Sequence, residues 1–97
     1  MTIIEVIKNK KQFLSLLLLA DEQENMIDRY LERGTMYVLN DNGVKAKCVV
    51  TDECNGILEI KNIATVPEYQ GKGYAKALID FIVKEYADKY SVLQVGT

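Results

Sequence analysis

Histidine and tryptophan are absent from this 97-residue chain, proline occurs once and cysteine twice. Without histidine, no Cys–His nucleophilic pair can be assembled. Cys48 and Cys54, with no second pair and no histidine, also fall short of the four nitrogen and sulfur ligands of a structural zinc site, so no metal is expected. Cys48 alternates with Ala46 and Val50, as a core strand residue does, and Cys54 lies in the turn-like stretch Asp52-Glu53-Cys54-Asn55-Gly56. Both read as reduced thiols of a cytoplasmic protein. An excess of basic charge is lacking too. The net charge of −2 and pI near 5.1 argue against a nucleic-acid partner, which asks for a basic face. The longest apolar run, Leu14 to Ala20, is broken by Ser15 and is far below the roughly 20 residues that span a bilayer. No basic stretch precedes a cleavage site, so neither a secretory signal nor a membrane partner is read.

What remains is the composition of an ordinary globule, 48% hydrophobic and 27% charged, and its length fits a single domain over residues 1–97. The stretch from Glu59 to Leu78 organises the rest. An apolar run, Ile57 to Val66, is closed by Pro67, and Gln70-Gly71-Lys72-Gly73-Tyr74-Ala75 follows. Ala75, Leu78, Ile79, Ile82, Val83 and Tyr86 then recur with the period of one helix face. The unit reads strand, glycine loop, helix. Gly71 and Gly73 open backbone conformations closed to other residues, and the first-turn N–H groups of the next helix point into the loop. With the helix dipole, Lys72 and Lys76 favour an anion there, and a phosphate or pyrophosphate suits the loop. It is not a P-loop, because Val66 stands where the first glycine belongs. Nor is it a dinucleotide fingerprint, because Lys76 stands where the last Gly or Ala belongs.

Gln70, Gly73 and Ala75 resemble the acetyl-CoA signature Gln/Arg-x-x-Gly-x-Gly/Ala of the GNAT superfamily of N-acetyltransferases, and Val66-Pro67-Glu68-Tyr69 leads in as that family commonly has it. The rest of the chain fits. Thr2 to Ile7 reads as a strand, Asn9 as the cap of a helix from Lys10, and Asp21 as the cap of a second helix ending at Gly34. Met36 to Leu39, Val44 to Thr51 and Ile57 to Val66, separated by Asn-Gly turns, form a three-strand meander. A helix from Gly73 to about Tyr90 and a strand Val92 to Val95 complete a parallel crossover. The fold class is therefore α+β (mixed α/β): strand, two helices, three-strand meander, helix, strand. The resemblance implies a GNAT fold cut short at its C-terminus, since that family usually continues with a helix and two strands.

In the middle strand Leu58 and Ile60 share a face by period two, but Ile63 has the opposite parity. Either both faces are buried, or an extra residue near Lys61-Asn62 makes a β-bulge. In the family, a bulge here splays the strand from its neighbour and the pantetheine arm enters the gap. By that resemblance the backbone of Ile63, Ala64 and Thr65 would hold the arm, and Gln70, Gly71, Lys72, Gly73, Tyr74 and Ala75 would hold the pyrophosphate of acetyl-CoA, the co-substrate.

The activity implied is direct acetyl transfer to a primary amine of a small molecule or a protein, in a ternary complex. An amine with a pKa near 10.4 must lose a proton first. Glu59, eleven residues before Gln70, stands at the offset of the general base in the family's histone-acetylating branch; its own surroundings equally allow a solvent-facing strand glutamate. Tyr30 and Glu32 fall on the segment that lines the acceptor side in the family. The tyrosine that often protonates the leaving thiolate would lie beyond Thr97, and Tyr74, Tyr86 and Tyr90 match no motif for that role. Two other classes stay open: a non-catalytic acyl-CoA-binding module, and a fragment that pairs through a bare sheet edge at Val92 to Val95, for instance as a homodimer.

Overall fold

The structure, a computed structural model, describes residues 1–96. Strand β1 (Thr2–Val6) leads through a 3₁₀ turn (Lys10–Phe13) into two short helices, α1 (Leu14–Leu17) and α2 (Glu24–Asp28). The meander follows as β2 (Thr35–Asn40), β3 (Val44–Asp52) and β4 (Ile57–Thr65), then α3 (Tyr74–Tyr86) and β5 (Val92–Val95). The five strands form one sheet in the order β1-β2-β3-β4-β5, antiparallel except for the parallel β4–β5 pair. This is the α+β order expected from the sequence. No described helix is long and apolar enough to cross a membrane.

Both faces of the sheet are covered, which splits the core in two. Tyr37, Leu39, Ala46, Cys48, Val50, Leu58 and Ile60 pack under Leu78 and Ile82 of α3. Leu78 and Ile82 are wholly buried, and sequestering each such side chain stabilises by about 1.5–3 kcal/mol. Phe81 joins them edge-on to Tyr37, at 5.0 Å between ring centroids, whereas Val83, on the periodic face, is half exposed. On the opposite side Val6, Met36, Val38 and Val49 pack against Leu17, Ile27, Tyr30 and Leu31.

The two leading helices are shorter than their pattern predicts, and neither expected cap is used. Asn9 takes a left-handed conformation (φ 52°) and makes no side-chain cap. The buried Lys10 ammonium instead donates to the carbonyls of Leu31 (2.8 Å) and Gly34 (2.7 Å), tying the first turn to the end of the α2 segment. Gln23 stands at the N-cap of α2, and Asp21 accepts from the Tyr30 hydroxyl at 3.4 Å. Isolated helices below about 12–15 residues are marginal in water, so burial of Leu17 and Ile27, not propensity, sets their limits. Helix α3 likewise closes at Tyr86, short of Tyr90.

Candidate functional site

Strand β4 carries an extra residue, one of the two readings that its broken parity leaves open. Val50 stands opposite Ile60 and Val49 opposite Asn62, so Lys61 is skipped in the ladder with β3. Asn62 then turns toward α1 and α2, where its buried amide donates to the Leu17 carbonyl (3.1 Å) and the Tyr30 hydroxyl (2.9 Å). These bonds fix the bulge from below. On its other edge β4 pairs with β5 only over Ile57 to Ile60, and the last link is Gly96 N–H to the Ile60 carbonyl at 2.9 Å. From Ile63 to Thr65, β4 keeps β3 as its one partner strand among the described residues. Its outer backbone groups are therefore available to a ligand lying along the strand.

The glycine loop opens onto that same edge. Gly71 and Gly73 sit at φ +82° and +84°, a region costly for residues with a Cβ, and no atom lies within 4 Å of where a Cβ would project. Among the described residues, the backbone N–H groups of Gly71 to Lys76 have no hydrogen-bond acceptor in the chain; the first bond of α3 runs from Ala77 N–H to the Gly73 carbonyl at 3.0 Å. Unbonded N–H groups at the positive end of a thirteen-residue helix suit a pyrophosphate. A cavity of about 460 Å³ joins loop and strand, lined by Ile63, Ala64, Thr65, Gln70, Gly71, Gly73, Tyr74 and Ala75. Of the loop residues expected there, Lys72 alone has its side chain off the wall, with its Nζ 5.8 Å from the Tyr69 ring centroid. Leu19, Tyr69 and Lys76 complete the lining.

The hydrogen bond from the Tyr74 hydroxyl to Asp41 (2.7 Å) pins the start of α3 to the β2–β3 turn and raises the phenol's pKa. Lys45 brings its ammonium to 4.0 Å from the Tyr69 ring, adding a cation at the rim, while Lys76 is drawn to Asp80 at 2.8 Å. No group of three or more His, Cys, Asp or Glu side chains among the described residues is placed to hold a metal ion.

Glu59 lies on the face of β4 opposite α3. Its carboxylate is only 12% exposed, contacts Lys61 Nζ at 2.7 Å and accepts from the Gln94 amide. It lines a second cavity, of about 330 Å³, with Asp21, Met26, Arg29, Tyr30, Arg33, Lys61 and Gly96. Gly96 leaves room for it, since a Cβ there would come within 2.7 Å of Glu59 Oε2. Tyr30 reaches this cavity; Glu32 is exposed and does not line it. Of the other tyrosine hydroxyls, Tyr86 is bonded to Tyr37 (2.6 Å) and Tyr90 to Asp52 (3.0 Å).

Residues 32–96 match the GNAT acetyltransferase domain family. The chain belongs to the GNAT acetyltransferases. Relatives of this GNAT chain include the uncharacterized N-acetyltransferase YvbK of Bacillus subtilis (strain 168), 33% identical over 88 residues, covering 89% of this chain and 57% of YvbK. Among solved structures, a GNAT family acetyltransferase from Elizabethkingia anophelis with acetyl-CoA bound superimposes with a TM-score of 0.89 at 31% identity, over 99% of this chain and 64% of that one. An IAA acetyltransferase from Bacillus cereus ATCC 14579 does so with a TM-score of 0.85 at 35% identity, over 99% and 66% respectively. A Bacillus subtilis acetyltransferase in complex with CoA gives 0.85 at 31% identity, over 98% and 64%. This GNAT chain thus spans less than two thirds of each of these relatives.

Two features of the GNAT site escape the sequence pattern. Leu19, half exposed after α1, supplies an apolar wall to the cavity at the glycine loop; the one hint is a leucine run longer than one short helix face can bury. Arg29 and Arg33 read as cations suiting a helix end, yet both line the cavity of Glu59.

Proposed function

We propose that the protein is an N-acetyltransferase that moves an acetyl group from acetyl-CoA to a primary amine by direct attack in a ternary complex. One observation carries the reading: the open edge of β4 at Ile63 to Thr65 and the unbonded N–H groups after Gln70 meet in a single cavity. That cavity offers two kinds of donor, a strand edge for an amide-bearing arm and a helix start for a pyrophosphate. When bound, acetyl-CoA supplies the thioester whose acyl carbon is attacked and the thiolate that leaves.

The chain's own part is positioning and proton handling. N–H groups of the open β4 edge polarise the thioester carbonyl. The acceptor amine comes from the other side of the bulge, from the cavity of Glu59. Glu59 takes its proton directly or through one water, and Lys61 and Gln94 hold the carboxylate in place. Lys61 of the bulge lines the cavity of Glu59 and Ile63 to Thr65 line the other, so donor and acceptor meet β4 on either side of Asn62. Titration of the chain with acetyl-CoA, followed by thiol release over a panel of amines, tests the reading. Saturable one-to-one binding with amine-dependent release is expected. Absence of binding would overturn the proposal, and binding without release on any amine would leave an acyl-CoA-binding module.

A further inference from the structure

The chain contains two arginines, Arg29 and Arg33, and both reach the wall of the cavity that holds Glu59. Four residues apart in the turns that follow α2, they project to one side. Arg33 contacts Glu53 at 3.4 Å, and Lys61 contacts Glu59 at 2.7 Å. Arg29 makes no ion pair and donates no side-chain hydrogen bond among the described residues. On the same wall the Asp21 carboxylate has only the Tyr30 hydroxyl, at 3.4 Å, among the described residues. The cavity is thus lined by an exposed guanidinium with no partner among the described residues and by two carboxylates.

Building on the acetyltransferase reading above, we propose that the acceptor is an amino acid in the broad chemical sense, an amine whose body also carries a carboxylate. Its ammonium is drawn by Asp21 and Glu59 and gives its proton to Glu59; its carboxylate pairs with the Arg29 guanidinium, with Arg33 alongside. A planar guanidinium matches a carboxylate through two parallel N–H bonds, a fit that an ammonium does not reproduce. A simple alkylamine leaves the exposed Arg29 to water and forgoes the paired hydrogen bonds that a carboxylate gains there, so the site favours the acid. The charge balance favours a carboxylate over a phosphate. Arg29, Arg33 and Lys61 on the wall are balanced by Asp21 and Glu59 on the wall and by Glu53, which contacts Arg33 and Lys61 from outside it, three against three, so a zwitterion leaves the site neutral and a dianion does not.

The experiment uses a series of ω-amino acids of increasing length, each against its carboxamide and its phosphonate. Transfer is read by thiol release, and binding to the CoA-saturated chain by the side-chain Nε–H signals of Arg29 and Arg33, which are unambiguous in a chain with two arginines. At the best length the carboxylate should exceed its carboxamide by at least about tenfold in kcat/KM or affinity, and should shift the Arg29 signal as the carboxamide does not. Arg29→Gln should shrink the preference to about twofold or less, while Lys84→Gln, on the exposed face of α3, should keep it. Equal use of acid and amide, a preference that survives Arg29→Gln, a preferred phosphonate, or a silent Arg29 signal would each overturn the assignment. Failure to bind acetyl-CoA would instead strike the acetyltransferase reading, and acetylation of amides as readily as acids would leave that reading standing while removing this one.

Discussion

Lys47 lies on β3 between Val38 and Ala64, on the face covered by the leading helices, and it is completely buried. Its Nζ has no hydrogen-bond partner among the described residues. Burial, opposed weakly by Cys48 and Asp21, lowers its pKa from 10.5 to about 7. In the unfolded chain the same amine keeps its proton up to about pH 10.4. Between these values the unfolded state binds the extra proton, so this residue makes stability rise with pH; below about pH 7 both states are protonated and its effect is flat. From about pH 7 to about pH 8.5 the gain integrates to roughly 1.5 kcal/mol, a sizeable part of the 5–15 kcal/mol typical of a domain. Higher pH is less clean. Burial raises the Cys48 thiol to about 12, which erodes stability above the ordinary thiol range, and Tyr37, Tyr74 and Tyr90 act likewise above theirs. Lys47→Met keeps the length and removes the titration. It should stabilise at about pH 7 by about 1–4 kcal/mol, as replacing buried charge with an apolar side chain does, and the advantage should shrink by roughly 1.5 kcal/mol at about pH 8.5. Urea unfolding of both proteins, followed by circular dichroism across that range, measures it. Parallel profiles for the two would refute the argument.

Three further outcomes are expected. Gly73→Val places a branched side chain at φ +84°, where the strain is about 1–2 kcal/mol, and in the path of the ligand; acetyl-CoA binding should be lost with far-UV circular dichroism nearly unchanged, and affinity retained within about threefold would rule out the loop assignment. Glu59→Gln should lower kcat at least about tenfold with little change in acetyl-CoA affinity, and should move the rise of the pH–rate curve toward the amine's own pKa; a near-normal rate with an unmoved curve would assign the proton to ordered water or another residue. Strand β5 offers Val92 and Val95, 47% and 61% exposed, on an edge strand, so concentration-dependent self-association is expected in sedimentation, and a clean monomer with protected 92–95 amides would count against it.

The sequence makes the sheet and α3 legible because each has one dominant period. Asn-Gly turns bound the meander, and α3 repeats every three or four residues. The bulge was legible only as one of two readings: Leu58, Ile60 and Ile63 share a face only with an extra residue between them, but a strand covered on both faces breaks the alternation too. The leading helices were not legible in length, since their extent follows from long-range contacts such as Lys10 to Leu31 and Gly34, which no local spacing encodes. Lys47 was hidden by alternation itself. Between Ala46 and Cys48 it reads as the wet side of a strand, but here helices cover both sides of the sheet. Glu59 could be located but its surroundings could not, because Gln94, which donates to it, and Arg29 and Arg33, which share its cavity, come from distant parts of the chain.

Lys61 has one more consequence, concerning insertion and deletion. On either side of it the alternation is in step: Leu58 and Ile60 before, Ile63 after, all toward α3, with Glu59 and Asn62 on the opposite face. Removing this single residue would therefore turn no core side chain outward and would leave a regular strand able to run flush beside its neighbours. The fold does not need Lys61; the proposed binding of acetyl-CoA beside β4 does. On that proposal the bulge is the point at which folding and ligand binding place opposite demands on the strand, and a one-codon deletion separates them.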